Sequence, residues 1–163
     1  MLDRLEALVR NVGVIAACIL IPAQILVGVS YLTGRKVSQF SITPLQELEW
    51  HFFFILVCLT LGAALLADRH VRIDIVRERL PPRVRAIIEI IGFFVALLPF
   101  CVALIYLGGQ DAYTSFVTAE RSPAALGLPY RWIIRSTIPF GGALLLLAGF
   151  VGLVRNFRSL ACR

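Results

Sequence analysis

Four apolar runs without a formal charge divide this chain: Asn11 to Gly34, Trp50 to Ala67, Ile90 to Gln110 and Ser136 to Val154. The first holds 24 residues. At about 1.5 Å per residue a helix of that length crosses a hydrocarbon core of about 30 Å with some tilt. With their flanks, the four runs predict spans over about 11–34, 46–67, 84–111 and 130–154. The expected fold is therefore an all-α membrane protein, a single four-helix transmembrane domain over residues 1–163.

Local signals set the ends of these helices. Asp3, Arg4, Glu6 and Arg10 alternate with Leu2, Leu5, Leu8 and Val9, a weak amphipathic start to the first helix. Ile15-Ala16-Ala17-Cys18 resembles a lipoprotein cleavage box, but the apolar run continues well past Cys18, where a signal peptide would end. Pro22 is expected to kink the first span, and Gln24 needs a partner on a neighbouring helix. Thr43-Pro44-Leu45-Gln46 reads as an N-cap, a proline at the first helical position and a Gln three residues after the cap. Glu47 and Glu49 then sit at the positive end of the second helix dipole, beside Trp50 and His51. Pro81-Pro82 starts the third span, and Pro99 predicts a kink within it. Asp111 to Leu128 reads as a loop, Pro129 as the start of the fourth span, and Pro139 lies early in that span.

Composition agrees. The chain is 59% hydrophobic with a mean hydropathy of +0.85, against about half apolar or less in a soluble domain. The net charge of +6 does not point to nucleic acid, because the arginines sit at helix ends and not along one exposed face. Six of the sixteen basic residues, Arg83 and Arg85 among them, fall between Asp68 and Arg85, an island between two apolar runs. With both termini cytoplasmic, inner segments carry eleven basic residues and outer segments five, as the positive-inside bias requires. Tyr31, Trp50, Tyr113, Tyr130 and Trp132 then all fall at the outer interface. Within the island, Asp74 caps a short amphipathic cytoplasmic helix over Ile75 to Leu80, between spans 2 and 3. Val71, Ile73, Val76 and Leu80 give this segment an apolar side, and Arg69 and Arg72 are placed to anchor it to membrane lipids or to a protein partner.

Candidate chemistry is sparse. No charged residue lies near the middle of any span, where one would cost about 2.5–3.5 kcal/mol and mark an ion path. Glu89 is close to the inner surface, with Arg85 four residues before it as an interfacial partner. Cys18, Cys58 and Cys101 fall in the hydrocarbon without a Cys-x-x-Cys motif, and His51 and His70 stand at opposite ends of one span. Neither a catalytic triad nor a phosphate loop is present, so the expectation is a non-enzyme that needs no cofactor. Small residues instead suit helix packing, either within the chain or against a partner: Ala63 and Ala67, Ala148 and Gly152, with Gly141, Gly142 and Gly149. Arg131 and Arg135, one turn apart, suit either an acidic partner or lipid headgroups.

Three stretches resemble the small membrane subunit of tripartite ATP-independent periplasmic (TRAP) transporters. The first is Leu45-Gln46-Glu47-Leu48-Glu49-Trp50. The second is His70-Val71-Arg72-Ile73-Asp74, followed by Leu80-Pro81-Pro82-Arg83-Val84-Arg85. The third is Ser122-Pro123, then Leu126-Gly127-Leu128-Pro129-Tyr130-Arg131-Trp132, leading to Ile138-Pro139-Phe140-Gly141. The resemblance implies a bacterial inner-membrane complex in which a large permease subunit moves organic anions, such as carboxylates or keto acids, by a sodium-coupled elevator. It also implies a periplasmic substrate-binding protein that delivers the solute, with a docking contact on the complex. The small subunit is then an accessory scaffold. The contrasting reading is a free-standing four-helix membrane protein, either a small exporter or a membrane enzyme.

Reporter fusions after Ser38, Glu78 and Arg163 test the orientation. Cytoplasmic signals are expected at Glu78 and Arg163 and an external one at Ser38; an external Glu78 overturns the topology.

Overall fold

The computed structural model describes residues 2–38, 43–67, 81–124 and 127–161. Those residues form α1 (Leu2–Ser38), α2 (Thr43–Leu66), α3 (Pro82–Gly92), a π-helical turn (Phe93–Leu97), α4 (Leu98–Val117) and α5 (Trp132–Ala161). The π turn joins α3 and α4 into one span, and four helices are long and apolar enough to cross a membrane. The short amphipathic helix expected over Ile75 to Leu80 lies outside the described residues, as do Asp68, Arg69, His70, Arg72 and Asp74.

Several helices run past the charge-free runs. At about 1.5 Å per residue the 37 residues of α1 reach about 55 Å, well beyond a hydrocarbon core of about 30 Å. α4 continues through Asp111 to Val117, where the sequence suggested a loop. Asp111 marks a change of environment, but Gln110 to Val117 holds no proline or glycine to stop the helix. α5 begins at Trp132, later than expected from Pro129, because Tyr130 takes a left-handed backbone (φ 64°) that no helix continues through.

The prolines act in two ways. Pro22 and Pro139 are held inside continuous helices. Pro99 is accommodated by the π turn: it lacks an N–H, and its ring would press on the carbonyl one turn back. Just before it the helix widens by a residue, and the Leu98 N–H donates to the Phe93 carbonyl, five residues earlier. Pro81, extended at ψ 146°, precedes α3, and Pro82 takes its first position.

α5 is the centre. It packs against α1, α2, α3 and α4, while α1 packs mainly on α2. In its most apolar stretch 44% of residues are buried, against 6–11% in the other three spans. The core cluster joins Val9 of α1 with Leu144 and Ala148 of α5, flanked by Val12, Leu59, Leu65, Leu66 and Leu147. Close approach of α2 and α5 depends on glycine. A Cβ at Gly62 would stand 2.8 Å from the Leu144 carbonyl oxygen, and one at Gly141 would stand 2.7 Å from that of Cys58. Ala63 packs on Gly13 of α1, whereas no described residue lies within 4 Å of a Cβ placed at Gly152, on the small-residue stripe it shares with Ala148. Along the third span the buried positions are Ala86, Phe93, Cys101, Gly108 and Ser115.

Polar contacts fasten the end that carries both termini. Arg155 of α5 pairs with Glu6 of α1. Asn156 donates to Glu89 of α3 at 2.8 Å, and Glu89 also meets Arg85 at 3.4 Å.

Gly62→Ala is expected to destabilise the bundle by about 1–3 kcal/mol, the usual cost of overpacking. Gly152→Ala, on an open helix surface, is expected to be neutral or mildly stabilising. Unfolding in detergent micelles, compared between the two variants, measures this.

Candidate functional site

The residues of the first and third motifs meet at the opposite end of the bundle, which carries the 38–43 and 118–131 connections. This loop end is organised by Glu47, on the first turns of α2. Its carboxylate accepts the Ser122 hydroxyl and, at 2.7 Å, the Leu128 N–H. A single side chain thus holds both limbs of a loop about 75 to 81 residues further along. The loop reinforces itself. The Ser122 N–H donates to the Leu128 carbonyl at 3.3 Å, and the Gly127 N–H donates to that of Ala124 at 3.0 Å. Gly127 is required by this closeness, because a Cβ there would overlap Ser122 and stand 3.0 Å from Glu47 Oε1.

The loop leaves α4 through a left-handed turn. Ala119 has φ 47°, the Ala119 N–H donates to Phe116 and the Glu120 N–H to Ser115, so the last carbonyls of α4 are satisfied. That turn brings Glu120 over the start of α5. Arg135 donates to Glu120 at 2.6 Å and to Asp111 of α4, while Arg131 reaches Glu120 at 3.4 Å. The four side chains are only partly shielded, so each pair contributes about 1 kcal/mol or less. Their effect is geometric: they join α4, Glu120 and the first turns of α5.

Other residues singled out from the sequence fall at scattered places. Glu49 reaches α1, where a Cβ at Gly28 would stand 3.4 Å from its carboxylate. Trp50 is 63% exposed, and Arg83, Pro123 and Pro129 are also exposed. Arg85 belongs to the contacts at the terminal end. Trp132 meets the Phe116 ring edge-on at 5.4 Å. Pro139 packs against Gly108 of α4. His51 bonds back to the Glu47 carbonyl, one turn before it. Arg131 and Arg135, left open between an acidic partner and lipid, both find carboxylates within the chain.

Asp111 and Glu120 were missing from the sequence reading of the site, and Ser122 stood in the third motif without a role. One signal for Asp111 was available. The charge-free runs of spans three and four end at Asp111 and Arg135, and antiparallel spans bring those ends to the same height. Nothing local marked Glu120, because its position depends on the left-handed turn at Ala119.

The contacts described at this site are structural. They tie helix ends together in a multi-pass helical membrane protein, and residues of the first and third motifs take part in them. Among curated proteins none matches the chain. A family model described as tripartite ATP-independent periplasmic transporters, DctQ component, matches residues 24–159. The chain belongs to that family, and so is a small membrane component of a TRAP transporter.

Glu47→Ala leaves the Ser122 hydroxyl and Leu128 N–H without their acceptor, at an expected cost of about 1–3 kcal/mol in loop stability. Amide hydrogen exchange is expected to speed up at Leu128 and across 118–131, with α2 still protected. Unchanged exchange at Leu128 would mean that the clasp does not hold the loop.

Proposed function

We propose that this chain is the stationary scaffold of a sodium-coupled, binding-protein-dependent importer of organic anions such as carboxylates or keto acids. It acts in the bacterial inner membrane as one domain, with both termini cytoplasmic. Its permanent partner is the large permease subunit, and the periplasmic substrate-binding protein docks on the assembled complex. The cytoplasmic segment with Arg69, His70, Arg72 and Asp74 braces the inner surface.

The observation that supports this reading best is the mechanical layout. α5 is fastened to α1 and α3 at one end, through Glu6–Arg155 and Glu89–Asn156. At the other end it is fastened to α4 and the Glu47 clasp. Meanwhile the outer faces of α1, α2, α3 and α4 remain apolar and exposed, with Ile19, Ile25, Leu26, Phe53, Ile88 and Val102 on them. A body fixed internally at both ends, with broad apolar sides, suits a role as a brace in lipid for a moving neighbour. Its four charge-free runs place no formal charge in the middle of any span.

The test is co-expression with a large permease subunit of the same family of transporters. The chain is expected to co-purify with a much larger membrane protein, and uptake should be lost when either is deleted. The purified chain alone, in liposomes, should move no solute; transport by the chain alone overturns the reading.

A further inference from the structure

Phe116, Ala119, Arg121, Pro129, Tyr130 and Trp132 line a cavity of about 220 Å³ at the loop end. Its depth in the bilayer follows from the chain. Asp111 and Arg135 close the charge-free runs of the third and fourth spans, and they pair with each other. Phe116 lies five residues beyond Asp111 and Trp132 three before Arg135. At about 1.5 Å per residue, both stand about 5–8 Å outside the hydrocarbon edge. The headgroup layer of one leaflet is about 5–8 Å deep. The cavity therefore opens among lipid headgroups.

Its lining is mostly apolar, as the glycerol and upper acyl region of a lipid requires, with Arg121 as its one charged residue. Tyr130 is 66% exposed and holds φ 64°, a left-handed conformation that a bulky side chain rarely adopts and that recurs at ligand clamps. Arg121 is exposed and has no hydrogen-bond or ion-pair partner among the described residues, although Arg131 and Arg135 beside it are held by carboxylates. A guanidinium with unused donors suits a phosphate. The volume is below the roughly 300 Å³ at which pockets begin to enclose a whole small molecule, so a soluble metabolite is a poor fit. A headgroup whose acyl chains stay in the bilayer needs no more room.

We propose that this cavity binds a phospholipid headgroup, with the phosphate on Arg121 and the glycerol region against the Tyr130 and Phe116 rings. The purified full chain, exchanged into vesicles of phosphatidylethanolamine and phosphatidylglycerol and then extracted, is examined by native mass spectrometry. Wild-type protein is expected to retain phospholipid, and Arg121→Gln to bind it about tenfold less tightly. Tyr130→Gly separates binding from folding: it removes the backbone strain, so the melting temperature should hold or rise while lipid retention falls. Inorganic phosphate at millimolar concentration should not displace the lipid. Retention unchanged in both variants overturns the proposal, and displacement by phosphate makes the cavity a soluble-anion site and also overturns it. In membranes, a photo-crosslinking phenylalanine at position 130 should label phospholipid; labelling of a protein instead overturns the proposal in favour of a protein-docking pocket.

Discussion

The bundle rests on how closely α2 can approach α5. In lipid the surroundings are as apolar as the side chains, so burying a leucine gains little from leaving water, and helices associate through packing and polar contacts. Packing is strongest where backbones nearly touch. Gly62 lies against Leu144, and Gly141 against Cys58, on two successive stretches of the same helix pair. With that contact in place, α5 is enclosed by its neighbours and can carry both sets of end contacts. Without it, the core around Val9, Leu144 and Ala148 would have no wall on the α2 side.

The polar contacts then settle what packing leaves undecided. Apolar helix faces in lipid slide and rotate at low cost, because one leucine resembles the next. Ion pairs and carboxylate clasps at the ends specify which turn meets which. Glu6, Glu89, Glu47, Asp111 and Glu120 all stand near span ends, where water and headgroups lower the cost of burying charge. All five carboxylates serve contacts inside the chain. The lateral apolar faces are thereby left without specific polar demands.

Much of this was legible in the sequence. Hydropathy alone marks four spans, since a membrane helix must be long and apolar for reasons that no tertiary contact changes. The start of α3 after Pro81 was equally readable, because proline acts locally. Helix ends in the polar region were less so. α4 outruns Asp111 by six residues, because a charge changes the environment of a helix without breaking it. The clasp was half visible: Glu47 and Gly127 both stood out, but their meeting depends on two left-handed turns, at Ala119 and Tyr130, where neither residue is the glycine that usually signals one. Gly62 was overlooked, and Gly152 was left open between a contact within the chain and one with a partner, for the same reason. Small-residue spacing shows that a helix can be approached and leaves open on which side.

The π turn before Pro99 also sets the phase of the third span. Its buried positions run Ala86, Phe93, Cys101, Gly108, Ser115, so the steps are seven residues except for a single step of eight across the π turn. Each residue turns an α-helix by about 100°, and an uncorrected extra one would swing everything after it away from α5. The widened turn absorbs that residue, so α3 and α4 present one continuous stripe to α5. The span thus behaves as a heptad repeat carrying one inserted residue. Length changes are consequently unequal along it: the loss of one residue between Phe93 and Leu98 would restore a regular repeat, whereas the same loss on either side would put half of the span out of register.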